Sequence, residues 1–210
     1  MRKVSPSRVL WNLTHKTGQG GAMSVRDCLL AIMTLGPQYG LQLHAELTSR
    51  TPHRAATNVG QIYSTLDRLV RDKKVEAGGQ TPDGLPLYQL TSDGSREIGA
   101  WLEPESISRE STWSDLLDIV FMIRSLPNVD PLPACDALDF AFAELPEPTQ
   151  GSDARARTAW LLTRAEEDFA TSMRAIVDRT RVELERDKPH GWGLSMQRPK
   201  RGRRPLNPTS

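Results

Sequence analysis

The amino-acid sequence predicts a mainly α-helical fold with a small β-hairpin wing: an N-terminal winged helix-turn-helix followed by a C-terminal helical dimerisation domain. Three observations predict it. Residues 57–91 spell an amphipathic helix with a polar face, then two short strands around a Gly/Pro turn, then a helix start. Two shorter helical stripes precede that stretch, and an uninterrupted helical pattern with heptad spacing runs from about Ser152 to Asp187.

In the first helix, Val25, Leu29, Ile32 and Met33 form one stripe within SVRDCLLAIMTL. It stops at Gly36-Pro37, because a proline pushes the residue before it out of the helical region. A second helix runs from about Gly40 to near Thr51-Pro52, with Leu41, Leu43, Ala45 and Leu47 as its apolar content. Val59, Ile62, Leu66 and Leu69 recur at three- and four-residue steps and so share the buried face of a third helix. Asn58 stands where an N-cap satisfies a free backbone N–H. Residues 74–77 and 85–90 read as strands around GGQTPDG, whose glycines, proline and aspartate favour a turn. Thr91 then caps a helix that reaches Trp101 and Leu102. Helix, helix, helix, hairpin, helix is the winged-helix order.

Opposite the buried stripe, the third helix carries Gln61, Ser64, Thr65 and Arg68. Gln suits adenine, Arg suits guanine or phosphate, and Ser and Thr accept several partners, so this face has the chemistry to read base edges. An isolated helix with such a face most often meets only water. The flanking helices and hairpin favour the nucleic-acid reading.

GPQYGLQLHAEL, VGQIYSTLDRLVRDKKVE and LYQLTSDGSREIGAWL resemble the PadR family of transcriptional regulators. The resemblance rests on Gly36-Pro37, Tyr39-Gly40, Gly60, Ile62-Tyr63, Leu66, Leu69, Tyr88, Leu90-Thr91 and Gly94, and covers roughly residues 24–103. It implies a homodimeric regulator, commonly a repressor, that binds double-stranded DNA with an inverted repeat and is released by a small aromatic or drug-like effector. The chain departs from the family in its wing. Where a basic pair commonly precedes the strand tyrosine, it has Asp83-Gly84-Leu85-Pro86-Leu87, so Lys73 and Lys74 at the hairpin base are the substitutes.

The charge distribution is uneven. The chain is formally +1, yet residues 1–22 hold four cations and no acid, and residues 188–210 hold six cations and no acid. The segment 23–103 has eight Lys/Arg against nine Asp/Glu, so any DNA affinity rests on a local patch, assigned to Arg50, His53, Arg54, Arg68, Arg71, Lys73 and Lys74. A second candidate is Arg198-Pro-Lys-Arg-Gly-Arg-Arg-Pro205, which resembles an AT-hook through Arg201 and Arg203, although Arg204 before Pro205 departs from that pattern. Such a tail adds affinity more than sequence choice. The residues expected at DNA are therefore Asn58, Gln61, Tyr63, Ser64, Thr65, Arg68, Arg54, Lys73, Lys74, Arg201 and Arg203.

The remaining chain is helical. Trp113, Leu116, Leu117, Val120, Phe121, Met122 and Ile123 are too dense for one narrow stripe and predict burial on more than one side. A further helix lies in residues 132–145. In the long pattern, Leu162, Phe169 and Ile176 stand seven apart, with Met173 among the residues between, a seam suited either to another helix of the monomer or to a symmetry mate. A two-fold protein would match two-fold DNA. Trp101 and Trp113 are the candidates to line an effector space between protomers, where an indole would stack on a flat ring. Their alternative role is core or dimer-contact packing.

Four regions follow: an N-terminal arm (1–22), disordered or an extension before an alternative start at Met23; the winged helix (23–103); the helical dimerisation domain (104–187); and a basic disordered tail (188–210). Cys28 and Cys135 lack metal-ligand spacing, and Cys28 falls near a buried stripe. Asp115 and Asp118 suit a cation pair or, the favoured reading, a solvated acidic face. No nucleophile elbow, phosphate loop or acid/base pair is visible, so no enzyme, cofactor or metal is expected. No run reaches transmembrane length and no signal peptide is visible, which predicts a cytoplasmic protein without membrane contact. The competing class is a winged-helix adaptor that binds a protein partner, for which the near-neutral domain and cation-free wing speak.

Overall fold

The computed structural model describes residues 25–107, 111–143 and 153–195. Its winged-helix part contains α1 (Val25–Met33), α2 (Gly40–Arg50), α3 (Val59–Arg71), β1 (Val75–Gln80), β2 (Pro86–Leu90) and α4 (Ser92–Leu102). The C-terminal part contains α5 (Trp113–Ser125), α6 (Leu132–Ala141) and the 33-residue α7 (Ala154–Arg186). The architecture is mainly helical with one two-stranded antiparallel hairpin, as the sequence predicts.

Local chemistry sets the helix starts. Asn58 Oδ1 accepts from Gln61 N at 2.9 Å and Thr91 Oγ1 accepts from Gly94 N at 3.0 Å, each satisfying a backbone donor that a helix leaves orphaned. Thr91 also donates to Lys73 O at 2.7 Å, tying α4 to the turn before β1. Gly94 is buried so closely against that turn that a Cβ would lie 2.0 Å from Lys74 O. Lys73 itself occupies the left-handed region (φ 56°), which L side chains seldom adopt.

α1 is buried on nearly every side, at Val25 and Cys28–Met33, and Leu43, Leu47, Ile62, Leu66, Leu69, Val75 and Ile98 pack around it. The hairpin pairs Val75 with Leu90, Glu76 with Gln89 and Ala77 with Tyr88, then bulges before Gln80 meets Pro86. Gly78 and Gly79, placed in the turn by sequence, belong to β1; Gly79 takes φ 106° at the bulge, and the connection narrows to residues 81–85. Gln38 adds a bridge to Tyr88, with backbone N–H···O bonds of 2.8 and 3.0 Å in both directions.

A second cluster joins Leu116 and Val120 of α5, Leu138 and Phe142 at α6, and Ala170, Met173 and Val177 of α7. The buried positions of α7 are Ala170, Met173, Val177, Thr180 and Leu184, alternating three- and four-residue steps. This seam corrects the expectation for Met173, which fills the monomer core; Phe169 and Ile176 flank that core half-buried, while Leu162 is 62% exposed. The physical reason is helical phase: the apolar residues of α7 form two adjacent stripes, and α5 and α6 cover the one through Met173.

Two further expectations are corrected. Asp115 and Asp118 are not a solvated face: Asp115 closes a capping box with Thr112, and Asp118 is fully buried. Residues 188–195, assigned to a disordered basic tail, fold back onto the winged helix, with Leu194 packed on its core. The N-terminal arm and residues 196–210, with Arg201 and Arg203, lie outside the described residues.

Both cysteines are buried. Burial pushes the Cys28 thiol well above its ordinary pKa, and the nearby Asp118 carboxylate adds to the shift. Burial raises Cys135 to about 11 against the opposing pull of Arg181. Because the thiolate is the reactive form, neither should react with a thiol reagent in the native protein at pH 8, and both should react after unfolding. A colorimetric thiol titration checks this; immediate labelling of either cysteine in the folded protein contradicts it.

Candidate nucleic-acid interface

α3 is held on α2 by its apolar stripe and by Tyr63, whose ring covers Gly40 so closely that a Cβ there would meet it at 2.6 Å. Outward from this support, Gln61, Ser64, Asp67, Arg68 and Arg71 are exposed, and Tyr63 is 40% exposed. Ser64 Oγ donates to Gln61 O at 3.1 Å. Arg68 Nε donates to Ser64 O at 3.3 Å and Nη2 to Thr65 Oγ1 at 3.2 Å, which lays the guanidinium along the helix. Asn58 caps this helix, so its carboxamide oxygen is engaged with Gln61 N. The free N–H groups of the first turn and Gln61 stand at one end, and Arg68, Arg71 and Lys73 at the other.

Thr65 corrects the sequence expectation. At about 100° per residue it lies only some 60° from Ile62, on the edge of the buried stripe, and it is 3% exposed. Its hydroxyl anchors Arg68 and does not face outward. Asp67, which pattern reading passed over, stands on the exposed side and adds an acid to this face. Burial raises the pKa of Tyr88 on β2, with Asp67 and then Tyr63 contributing, so the wing tyrosine sits near the outer face of α3.

The proposed basic patch loses four of its members. Arg54 donates Nε to Asp118 Oδ1 and Oδ2 at 2.8 and 2.9 Å, and its Nη2 also reaches Asp118 Oδ2. His53 Nε2 meets Asp118 Oδ1 at 2.8 Å, and its ring packs on Phe121 with centroids 5.6 Å apart. Arg50 is 2% exposed and pairs with Glu46 at 3.0 Å. Lys74 pairs with Glu97 at 2.8 Å, and Glu97 also binds Arg26. Burial alone would push the Glu97 carboxyl up, but hydrogen bonds and charges from Arg26 and Lys74 hold it below its ordinary range. Charges used inside the fold are not on offer to phosphate. The cations left on this side are Arg68, Arg71 and Lys73, all exposed.

The wing offers no cation between Thr81 and Leu90; Thr81 Oγ1 donates to Asp83 Oδ1 at 2.8 Å and so shapes the turn. Trp101 and Trp113 have different neighbours. Trp101 is half-buried between the α1 core and Ile119, Ile123 and Ala134. Trp113, 38% exposed, stacks edge-on against Phe169 with centroids 5.4 Å apart. The structure therefore does not unite them in one pocket within a monomer.

What sequence reasoning missed is the junction between the two parts: Asp118 to Arg54 and His53, and Arg50 to Ser125 O at 2.7 Å. No spacing rule marks these contacts, since the partners are 64 to 75 positions apart. Among the described residues, no group of three His, Cys, Asp or Glu is placed to hold a metal, and no helix is long and apolar enough to cross a membrane.

A three-helix core, an antiparallel wing and an exposed, capped third helix define a winged helix-turn-helix domain of the kind found in transcription regulators. Residues 29–100 match the family model described as the Transcriptional regulator PadR-like family. A crystal structure of Bacillus subtilis PadR in complex with operator DNA is similar at 14% identity and a TM-score of 0.34, covering 74% of this chain and 98% of that one. At that level the similarity positions no residue here. No curated protein matches the chain.

Proposed function

We propose that the chain is a sequence-specific DNA-binding regulator acting in the cytoplasm as a homodimeric repressor of genes with an inverted-repeat operator. The observation that carries this reading is α3: its N-terminus is capped by Asn58, and Gln61, Ser64 and Arg68 stand exposed together with Arg71 and Lys73 beyond them. Gln61 has the carboxamide geometry for adenine, and Arg68 the fork for guanine or phosphate. Dimerisation is supported by the first half of α7, where Leu161 and Leu162 are 61% and 62% exposed on neighbouring positions. A small aromatic effector would act by favouring one disposition of the two recognition helices over another. Trp113, 38% exposed and edge-on to Phe169 of α7, offers such an effector an aromatic surface.

The test is footprinting on the DNA upstream of the protein's own gene. Protection of an inverted repeat is expected. Changing Gln61→Ala and Arg68→Ala together should abolish preference for that repeat, at about 1–3 kcal/mol per lost base contact, while leaving dimerisation intact. Unchanged preference in the double variant would remove α3 as the reader. The loss of Arg50, His53, Arg54 and Lys74 to internal pairs favours one alternative, a winged-helix adaptor for a protein partner, and the absence of any protected site would promote it.

A further inference from the structure

We infer that Asp67 of α3 is a specificity-determining residue that selects a cytosine in each half-site, by accepting from the exocyclic amine of that base in the major groove. The inference rests on the DNA-binding reading above and names the base that the outermost line of α3 reads.

Helical phase fixes that line. The buried side chains of α3 are Ile62, Thr65, Leu66 and Leu69. At about 100° per residue, Gly60, Ser64, Asp67 and Arg71 stand about 150–170° round the helix from the middle of that buried set, and all four are exposed. Gln61 and Arg68 on one side and Tyr63 on the other lie on the flanks, at about 90–110°. A recognition helix seated in the major groove, with its buried stripe against the protein, turns the opposite line towards the base edges. Gly60 has no side chain, and Ser64 and Asp67 have short ones, so the helix can lie deep at this line with Asp67 set against the bases. Arg71, one turn further on, has the length to reach a phosphate.

Asp67 has no task inside the fold. Asp118, Glu46 and Glu97 each hold a cation, whereas among the described residues no cation pairs with the Asp67 carboxylate and no donor bonds to it. The wing brings the Tyr88 phenol near it and no cation. A carboxylate only accepts. Against duplex DNA it is repelled by the phosphates, and the base edges that present acceptors, N7 and O6 of guanine and O4 of thymine, add to that cost. Cytosine offers its N4 amine with no acceptor of its own beside it in the major groove. Adenine sets its N6 amine next to the N7 acceptor, an arrangement that suits a carboxamide and opposes a carboxylate. Asp67 therefore adds discrimination, and it lowers affinity for every sequence that places another base there.

The experiment measures binding of the full chain to the footprinted operator at one fixed salt concentration, with each base pair of a half-site changed in turn to the other three. Expected is a position at which replacing C·G weakens binding about five- to 150-fold, the range for one base contact. Asp67→Asn should move the preference at that position to A·T, because a carboxamide both accepts from N6 and donates to N7. Asp67→Ala should bind all four base pairs there nearly equally, and should bind unrelated DNA more tightly than the parent does. Both variants alter an exposed side chain without an internal partner, so their Tm should match the parent's. A footprint with no C·G-dependent position, or one whose every C·G preference is retained in both variants, overturns the inference and leaves the DNA reading standing. Absence of any footprint in the parent removes the DNA reading and the inference with it.

Discussion

Replacing Asp118 with alanine is expected to destabilise the fold by about 3–5 kcal/mol, the usual effect of removing one partner of a buried, hydrogen-bonded charge pair. Asp118 is fully buried on α5, and both Arg54 and His53, from the turn between α2 and α3, converge on its carboxylate. The substitution removes from the Arg54 guanidinium its main hydrogen-bonded carboxylate in a part-buried site. Asp118→Asn keeps the shape and one acceptor, so it should cost less than alanine. Denaturant titration of the two variants measures the difference; an alanine variant within about 0.5 kcal/mol of the parent would show that the junction is not an organising contact. Because the junction is the tie between the α2–α3 turn and the C-terminal helices, Asp118→Asn should also weaken operator binding more than its stability loss explains. That coupling is measured by footprinting titration at a temperature where the variant is fully folded.

Arg50→Ala is expected to have an effect of similar size. It strands the Glu46 carboxylate, 3% exposed, and takes the donor from three backbone carbonyls at Ser125, Trp192 and Gly193. A buried charge without its counter-ion, and the carbonyls of Trp192 and Gly193 without this donor while Ser125 O keeps Trp192 N, together account for about 3–5 kcal/mol. Pairing Arg50→Met with Glu46→Leu removes both charges, and apolar replacement of a buried ion pair is often neutral or better. The double variant should therefore recover most of the loss at the α2 site, yet it has no group to hold the N–H of Ser195. Calorimetric Tm values measure the recovery. Full recovery would mean that the pair contributes packing alone.

The fold was legible where the information was local. Asn58 and Thr91 were readable as caps, because a side-chain oxygen three residues ahead of a backbone N–H is a short-range fact. The stripes Ile62, Leu66, Leu69 and Leu29, Ile32, Met33 were readable because helical periodicity fixes which residues share a face. The hairpin and its antiparallel pairing followed from two apolar runs around turn residues, although Gly78 and Gly79 extended β1 and bulged it. The exposed Gln61, Ser64 and Arg68 were legible for the same reason, with Thr65 the error at the edge of the stripe.

Tertiary structure alone decided what the charges and the C-terminal segments do. Arg54 and Arg50 look in sequence like cations available to phosphate, but one meets Asp118, 64 positions on, and the other holds carbonyls as far as Gly193. Periodicity assigns a residue to a face and says nothing of what that face meets, so a buried guanidinium and a solvent-facing one carry the same local signature. In α7, sequence determined that an apolar seam exists, and the packing of α5 and α6 chose the stripe through Ala170, Met173 and Val177 for the monomer core. The Gly-Trp-Gly segment, unremarked in a basic and polar tail, became a clasp because Arg50 and Glu46 stand ready on a distant helix to receive it. Local propensity and pattern thus specified the elements. Burial, by forcing each polar group to find a partner, specified how they join.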